Sequence, residues 1–375
     1  MIYRDLIIPG TQTSLKMAVE ECLLSMKASS LTGRLLGVNC FVHCQSDADY
    51  FLQKEFLCNQ FETFFPGLPL GVVAQSPESK LAVEFWITDV DTSIGLKSAN
   101  GFRYSVVEEW SGRWLFAPGL AVSDSSLSIS RQAEFAFEAA LNVLAAEGFT
   151  FDEVVRQWNY IPEIVRCLES DDLLIQHYQL FNDVRQRYYK MHLKNTDYPA
   201  ATGIGMSYGT VCIDLLALQC ADDIRRAELT NPRQINAYEY HSDLLIGSKP
   251  DKKKPLFARA KLVGNDEQAL CFISGTASII GEESVGKGDV ATQVVITRDN
   301  ILRLVTPENL MRHEQHAYPE LIIIFNRVYV KSPDHLQEVK ALCNRIFPNV
   351  PTLFLQAEVC RDELLVEIES ECILC

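Results

Sequence analysis

The sequence lacks an apolar run long enough to cross a membrane, and it is poor in basic residues. Its longest apolar runs, such as residues 321–325, fall far short of the roughly 20 residues that a spanning helix needs. The 375 residues include 34 Lys and Arg against 49 Asp and Glu, which gives a formal net charge of −15. Because the apolar runs are short, we do not expect a membrane protein. Because an acidic surface repels phosphate backbones, we do not expect a protein whose main activity is binding nucleic acid.

The twelve cysteines form no pattern typical of zinc sites or disulfide frameworks. The spacing CxxC occurs at Cys372 and Cys375, and a single CxxC cannot complete a tetrahedral metal site. The N-terminus lacks the basic start and apolar stretch of a secretory signal. We therefore expect buried, reduced thiols in a cytoplasmic protein that needs no metal and no cofactor.

The short motifs of several enzyme classes are absent or incomplete. GxGxxG does not occur, and Gly281-x-x-x-x-Gly286-Lys287 is followed by a glycine where a P-loop requires Ser or Thr. The segment from Gly205 to Gly209 fits GxSxG, with Ser207 as the serine. A nucleophile elbow needs a helix after that serine, whereas a strand is predicted here. Nucleotide binding and serine hydrolysis therefore have little support.

Strands and helices alternate along the chain. Short apolar runs rich in β-branched and aromatic residues predict strands, including residues 232–240, 352–360 and 364–369. Apolar residues at helical spacing predict helices at residues 130–147, 173–193, 289–305 and 333–346.

Two stretches resemble each other and indicate an internal repeat. Residues 115–121 (LFAPGLA) and 271–277 (CFISGTA) are both apolar strands that contain a Gly and precede a helix with a Gln near its start. Two related units in tandem explain this better than coincidence. We predict an α+β protein of two domains, residues 1–195 and 196–375.

The C-terminal segment places an acid in an apolar strand. Glu367 and Glu369 share one face of the predicted strand 364–369, and apolar residues occupy the other. The polar residues 361–363 predict a hairpin turn, which would bring Cys360 beside Glu367. Glu367 is then either an exposed strand residue or a desolvated acid, and the pattern leaves both open.

Several motifs occur together in the last three quarters of the chain, and residues 366–370 (VEIES) follow them. The motifs are Trp158-Asn-Tyr-Ile-Pro162, Phe181-Asn182-x-x-Arg185, Tyr198-Pro-Ala-Ala-Thr-Gly-Ile-Gly205, Asn231-Pro-Arg-Gln-x-x-Ala-Tyr238, Phe257-Ala-Arg-Ala260 and Ala357-x-x-Cys-Arg361. Together they resemble the chorismatases over residues 100–375, and the resemblance is weak before that. It implies two tandem RidA/YjgF-like (chorismate-mutase-like) domains, each a mixed sheet with helices packed on one face.

The resemblance implies an enzyme that releases pyruvate from chorismate without a cofactor. Glu367 would protonate the methylene carbon of the enolpyruvyl ether. Because a free Glu has a pKa of about 4.3, desolvation would have to raise it by roughly 2 units. The first half has no counterpart of Glu367, so the resemblance implies one active site, in the second domain.

Cys360 lies seven residues before that acid. In the family, a Cys at this position looks like the mark of the branch that makes 3-hydroxybenzoate. The resemblance implies that Cys360 assists rearomatisation of the ring. A small residue there marks the branch that makes a dihydroxycyclohexadiene carboxylate, and some members make both 3- and 4-hydroxybenzoate. From the residues alone, Cys360 is equally well a small buried hydrophobe.

Chorismate is a dianion, so the site needs cations. Arg259 is the first candidate, whereas from the residues alone an Arg on an apolar strand is expected to form a structural ion pair. Arg361 in the predicted turn is expected to be exposed. The other candidates for substrate binding are Arg185, Tyr238, Gly275, Thr276, Thr202 and Gly203.

The main alternative is a RidA/YjgF-like protein that binds a small metabolite or deaminates an imine. Such relatives need an Arg close to the last strand, and Arg361 fits that position. RidA/YjgF-like single domains usually form trimers, so the chain is expected to be a monomer that mimics part of a trimer, or a trimer itself.

Overall fold

Three β-sheets, each with helices on its outer face, build the fold. The computed structural model describes residues 2–11, 14–170, 173–194, 197–244, 246–248, 251–313 and 318–375. Within these ranges, no helix is long and apolar enough to cross a membrane.

The first unit comprises four strands and two helices. They are β1 (Tyr3–Ile7), α1 (Leu15–Ser29), β2 (Gly33–Val42), α2 (Asp47–Phe64), β3 (Leu70–Val73) and β4 (Leu81–Asp89). The strand order is β1-β4-β2-β3, in which β2 and β3 are parallel and the other pairs antiparallel. Each helix begins after a serine, Ser14 or Ser46, whose side chain accepts a backbone hydrogen bond from the first turn.

The second unit comprises eight strands and two helices. They are β5 (Ile94–Ala99), β6 (Phe102–Glu109), β7 (Gly112–Ala121), α3 (Ile129–Ala146), β8 (Val154–Pro162), β9 (Cys167–Ser170), β10 (Leu173–Gln176), α4 (His177–His192), β11 (Ala200–Met206) and β12 (Cys212–Cys220). Six strands form a sheet of order β11-β8-β12-β7-β6-β5, and β9 pairs with β10. Ser128 caps the start of α3, and Gly148 with φ of 71° follows its end.

The third unit repeats this plan. It comprises β13 (Arg225–Leu229), β14 (Ala260–Gly264), β15 (Ala269–Ala277), β16 (Ile279–Ile280), β17 (Glu283–Ser284), α5 (Val290–Leu304), α6 (Pro307–Arg312), β18 (Leu321–Val330), α7 (Leu336–Ile346), β19 (Thr352–Gln356) and β20 (Val366–Leu374). Its sheet has the order β13-β14-β15-β20-β18-β19, with β18 and β19 parallel.

The three sheets share one topology. In each, the last strand of the unit (β4, β12 or β20) inserts between two earlier strands, and a helix connects the parallel pair at one edge. The second and third sheets carry two further strands that the first lacks. The α+β class with mixed sheets is therefore confirmed. The first 90 residues form a third, smaller unit of the same kind, which the sequence did not indicate.

The sheets also differ from the predicted domains at the predicted boundary. The predicted boundary after residue 195 lies between α4 and β11, but β11 and β12 belong to the second sheet. Residues 195 and 196 themselves lie outside the described part of the chain. The boundary does not separate the sheets because β12 returns between β7 and β8, a pairing that local sequence pattern does not reveal.

Most predicted elements are confirmed, including the helices at 130–147 and 289–305. The helix predicted at 173–193 begins at His177, because residues 173–176 form β10. The strand predicted at 232–240 is wrong, because the short 3-10 helix Ala237–Glu239 occupies part of that segment.

The inner faces of the three sheets meet around buried charges. Arg327 of β18 donates through Nε and Nη2 to Glu84 of β4 at 2.6–3.2 Å, and Arg4 of β1 donates to Glu84 at 3.0 Å. These three side chains are at most 1% exposed. The outer faces pack separately against their helices, so this cluster joins the first sheet to the third.

Glu84→Ala should lower the free energy of unfolding by about 3–5 kcal/mol, because it leaves Arg327 buried without its main counter-charge. Denaturant unfolding followed by circular dichroism measures the loss. The control is Glu78→Ala, which removes a partly exposed ion pair with Lys340 and should cost about 1 kcal/mol or less. Equal effects of the two substitutions would contradict a structural role for the buried cluster.

Candidate active site

A cleft between the second and third sheets contains most of the predicted site residues. The second unit contributes β11 and the start of α4. The third unit contributes β15, β20 and the segments before β14 and β20. The space between the lining atoms is about 670 Å³, part of it open to solvent. Of the predicted residues, Glu367, Cys360, Arg259, Gly203 and Gly275 line this cleft.

Glu367 lies on β20 against an irregularity in β15. Its residue is 5% exposed, and the pairing of β15 with β20 shifts register between Ile273 and Thr276. A Cβ atom on Gly275 would overlap Oε1 of Glu367. Only glycine therefore leaves room for the carboxyl at this point.

Burial raises the pKa of Glu367 to about 8, and the negative charge of Glu369 adds to the rise. The guanidinium groups of Arg156 and Arg259 act in the opposite direction and lower it. The carboxyl group is therefore mainly protonated at neutral pH, as the desolvated alternative from the sequence requires.

Glu369, two residues further on, has the opposite character. Burial alone raises its pKa, but the positive charges of Arg327 and Arg156 hold the pKa at about 2. Arg156 Nη2 donates to its carboxylate at 2.8 Å, the indole of Trp158 at 2.8 Å and the hydroxyl of Thr202 at 2.6 Å. The strand thus carries one neutral and one ionised carboxyl on the same buried face.

Cys360 is half-buried at the cleft wall. Burial raises the pKa of its thiol to about 12, and the charge of Glu367 adds to the rise. The side chain is therefore a thiol at neutral pH, able to donate a weak hydrogen bond but not to act as a thiolate nucleophile.

Two arginines and a tyrosine form one wall of the cleft. The Arg259 and Arg361 guanidinium carbons lie 5.6 and 5.2 Å from the ring centre of Tyr240. Arg259 Nη2 donates to the Ile235 carbonyl at 2.7 Å and to the Tyr240 hydroxyl at 2.6 Å. Among the described residues, its buried Nε has no hydrogen-bond partner. This wall offers positive charge and a free donor to an anionic ligand.

Arg361 was expected to be exposed, and that expectation is wrong. Its residue is only 9% exposed, and Nη1 donates to the Glu282 carbonyl at 2.8 Å. The predicted hairpin is also wrong, because β18 lies between β19 and β20 in the sheet. Cys360 nevertheless reaches Glu367, since the segment between these strands crosses the end of the cleft.

Four predicted binding residues do not line the cleft. Arg185 donates from Nη2 to Asn182 within α4 at 2.5 Å, and the Tyr238 hydroxyl donates to Glu228 at 2.9 Å. The Thr276 hydroxyl donates to the Ser274 carbonyl at 2.8 Å. Thr202 lies behind the cleft, where its hydroxyl donates to Glu369. Among the described residues, the buried Nε of Arg185 has no hydrogen-bond partner, but none of these four side chains lines the cleft.

The sequence missed several lining residues, among them Tyr178, Tyr240 and Phe257. Tyr240 follows the motif that ends at Tyr238, and the predicted strand there would have given it no special role. Tyr240 follows the short 3-10 helix Ala237–Glu239, and its ring lies near both arginines. In the described part of the chain, no group of three or more His, Cys, Asp or Glu residues is placed to hold a metal.

The register of strand pairing shows why one cleft carries the acid. Glu367 is opposite Tyr329 on β18, and the corresponding pairs are Cys212 with Tyr160 and Ala82 with Phe41. The last strand of the second unit is thus β12, in which a thiol takes the place of the acid. The segment at 154–158 is part of β8, which pairs with β12.

Comparison with known proteins gives one consistent family. Residues 84–217 match the family described as chorismatase FkbO/Hyg5-like, N-terminal. A 3-hydroxybenzoate synthase of Streptomyces hygroscopicus is 28% identical over 312 residues, which are 82% of this chain and 85% of that protein. A chorismatase of the same organism is 32% identical over 220 residues, 58% of this chain and 60% of that protein.

A crystal structure of a chorismatase superposes with a TM-score of 0.73 at 22% identity, and the match covers 100% of this chain and 98% of that one. This likeness shows the same fold. Together with the sequence matches, it confirms the resemblance to the chorismatases that the motifs indicated.

The Glu367 carboxyl should be protonated at pH 7 and lose its proton as the pH rises through about 8. The infrared difference spectrum between the unsubstituted protein and Glu367→Gln isolates the band of this one protonated carboxyl. The band should be present at pH 6 and fade above pH 8. Its absence at pH 6 would contradict the desolvated environment.

Proposed function

We propose that this chain, a member of the chorismatase family, converts chorismate into 3-hydroxybenzoate and pyruvate. The observation that carries the proposal is the buried carboxyl of Glu367 in a cleft that is also lined by Arg259 and Arg361, where burial raises the pKa of Glu367 to about 8. A dianionic enol ether needs both features, namely cations for its carboxylates and an acid for its double bond.

Arg259 and Arg361 are the residues that we assign to the two carboxylates of chorismate. Guanidinium groups form paired, charge-assisted hydrogen bonds with carboxylates, and Nε of Arg259 is an unused donor within the described structure. Both guanidinium groups lie near the ring of Tyr240, and we assign one carboxylate to each. This local pair of cations offsets a net charge of −15 that would otherwise disfavour a dianion.

The first step is protonation of the substrate by Glu367. The carboxyl proton forms a new C–H bond at the methylene carbon of the enolpyruvyl group, and the ether carbon becomes oxocarbenium-like. A general acid works best when its pKa is near the working pH, and burial brings Glu367 into that range. Glu367 is then a carboxylate.

The second step is departure of pyruvate. The ring hydroxyl attacks the neighbouring ether-bearing carbon, and the C–O bond to that carbon breaks with the ether oxygen leaving as the keto oxygen of pyruvate. The hydroxyl proton returns to the Glu367 carboxylate. The arene-oxide-like ring product then isomerises to 3-hydroxybenzoate. Because the two products together contain the atoms of chorismate, no water and no redox cofactor are consumed.

Cys360 is the residue that we assign to product choice. Its thiol lines the same cleft as Glu367, and burial raises its pKa to about 12, so it stays protonated at neutral pH. A protonated thiol can donate to the ring oxygen while the ring regains aromaticity, and its bulk hinders a water molecule from attacking the ring. Formation of a dihydroxycyclohexadiene carboxylate, which requires such a water, is thereby disfavoured.

The expected cytoplasmic location and the choice between monomer and trimer stay predictions.

One observation favours a second function, the deamination of a small imine. Arg361 lies in the cleft, as the alternative drawn from RidA/YjgF-like proteins requires. The two functions differ in product, because chorismate yields pyruvate whereas an imino acid such as 2-iminobutyrate yields ammonia. Ammonia release without pyruvate release would favour the second function.

Glu367→Gln should lower pyruvate release from chorismate at least ~100-fold, because an amide cannot supply the proton. In the unsubstituted enzyme, kcat/KM should be constant below about pH 8 and fall above it as Glu367 ionises. Pyruvate is measured with coupled lactate dehydrogenase. Glu363→Gln, on the neighbouring segment but outside the cleft lining, is the control and should keep full activity. The absence of pyruvate from the unsubstituted enzyme would refute the proposed function.

Cys360→Ala should change the aromatic product more than the rate of pyruvate release. We expect a larger share of dihydroxycyclohexadiene carboxylate or 4-hydroxybenzoate, with pyruvate release within about tenfold of the original, since the acid step is intact. Chromatography of the reaction mixture gives the product ratio. Cys220→Ala, also a half-buried thiol, is the matched control. An unchanged product would remove Cys360 from the mechanism.

A further inference from the structure

Behind Glu367, a second acid of β20 lies in a cluster of charges that the proposed mechanism does not use. Glu369 is 2% exposed and carries its charge in the folded protein, held by Arg156 and Arg327. Burying ions costs several kcal/mol each unless they are paired. Such a cluster beside a catalytic acid raises the question of what it does for that acid.

Glu369 is linked physically to the floor beneath Glu367. The two residues are on the same face of β20, about 7 Å apart along the strand. The Thr202 hydroxyl donates to Glu369 at 2.6 Å and accepts from the Gly275 amide at 3.0 Å. Gly275 is the residue against which the Glu367 carboxyl packs. A shift of Glu369 would therefore move the surface on which Glu367 rests.

The charges around Glu367 explain why an anion is needed there. Arg156 of β8 faces it from the second sheet, and Arg259 faces it from the cleft wall. Without Glu369, Arg156 would lack its carboxylate partner, and two uncompensated cations would favour the ionised form of Glu367. The other titratable groups that face Glu367 are Cys360, Arg361, Tyr178 and, across the strand pair, Tyr329.

We propose that Glu369 is a positioning residue for the acid step: its fixed negative charge neutralises Arg156 and Arg327 behind Glu367 and keeps Glu367 in the neutral form that can protonate the substrate. The inference deepens the proposed function and rests on it for the identity of the reaction. The state of Glu367 itself can be measured without turnover.

The internal repeat separates this role from a purely structural one. Strand pairing places Glu84 and Asp214 at the positions equivalent to Glu369, so all three units carry a buried acid there. The next position towards the cleft carries Ala82, Cys212 or Glu367. In every unit, the repeated acid is buried where the sheets meet. In the third unit, the acid also has a second carboxyl, Glu367, beside it on the same strand face, and its charge affects the protonation of that carboxyl.

The test is the pH profile of kcat/KM for pyruvate release in Glu369→Gln. Removing the fixed anion should move the fall in activity to lower pH by one unit or more, which is at least a tenfold loss above the original midpoint, while activity at low pH is largely kept. Glu371→Gln is the matched control, because it removes a buried acid from the same strand face two residues further away. It should leave the midpoint unchanged.

Arg156→Gln tests the same arrangement from the other side and serves if Glu369→Gln does not fold. Removing a cation that faces Glu367 should move the fall in activity to higher pH. Opposite shifts in the two variants would support the proposal. A uniform loss at every pH, or a midpoint that does not move in either variant, would overturn it and leave Glu369 with a structural role.

The protonation state of Glu367 can also be measured by infrared spectroscopy, without chorismate turnover. The infrared band of the protonated Glu367 carboxyl should fade at lower pH in Glu369→Gln than in the unsubstituted protein. If chorismate yields no pyruvate but the band shifts, the proposed function fails while the coupling stands. If pyruvate is released and the band does not shift, the coupling fails and the function stands.

Discussion

The structure depends on pairing a set of arginines and acids where no water reaches them. Arg4 and Glu84 come from the first sheet, Arg156 from the second, and Arg327 and Glu369 from the third. A buried ion without its partner costs several kcal/mol, so the three sheets reach a low free energy only when all are docked in one arrangement. That arrangement fixes the cleft between the second and third sheets.

The same cluster creates two kinds of carboxyl on one strand. Glu369 faces the arginines and keeps its charge, whereas Glu367 lies one step towards the cleft, where burial is not offset to the same degree. Pairs of acids whose environments push their pKa values apart are typical of enzymes that need a proton donor at neutral pH. Glu367 and Glu369 are therefore given different roles by their positions along β20, although both are glutamates.

The three units share one topology but differ in the residue at the position of Glu367. Three units of one topology each present the same strand to the centre, but the position of Glu367 holds Ala82 in the first and Cys212 in the second. Among the described residues at this position, only Glu367 of the third unit is an acid, and Arg259 and Arg361 line the cleft with it. The second unit contributes β11 and the start of α4 to the cleft, and the first unit contributes none of its described lining.

The sequence by itself determined what depends on near neighbours: the helix periodicity of α3 and α5, the alternation that put Glu367 and Glu369 on one face, and the motifs that indicated the family. The tertiary structure decided what depends on distant strands. The first 90 residues became a third sheet, β18 separated the strands of the supposed hairpin, and Arg361 and Tyr240 turned into the cleft. Strand order and the burial of a charge are set by residues hundreds of positions apart, as Arg4 and Glu371 are, and no local pattern encodes them.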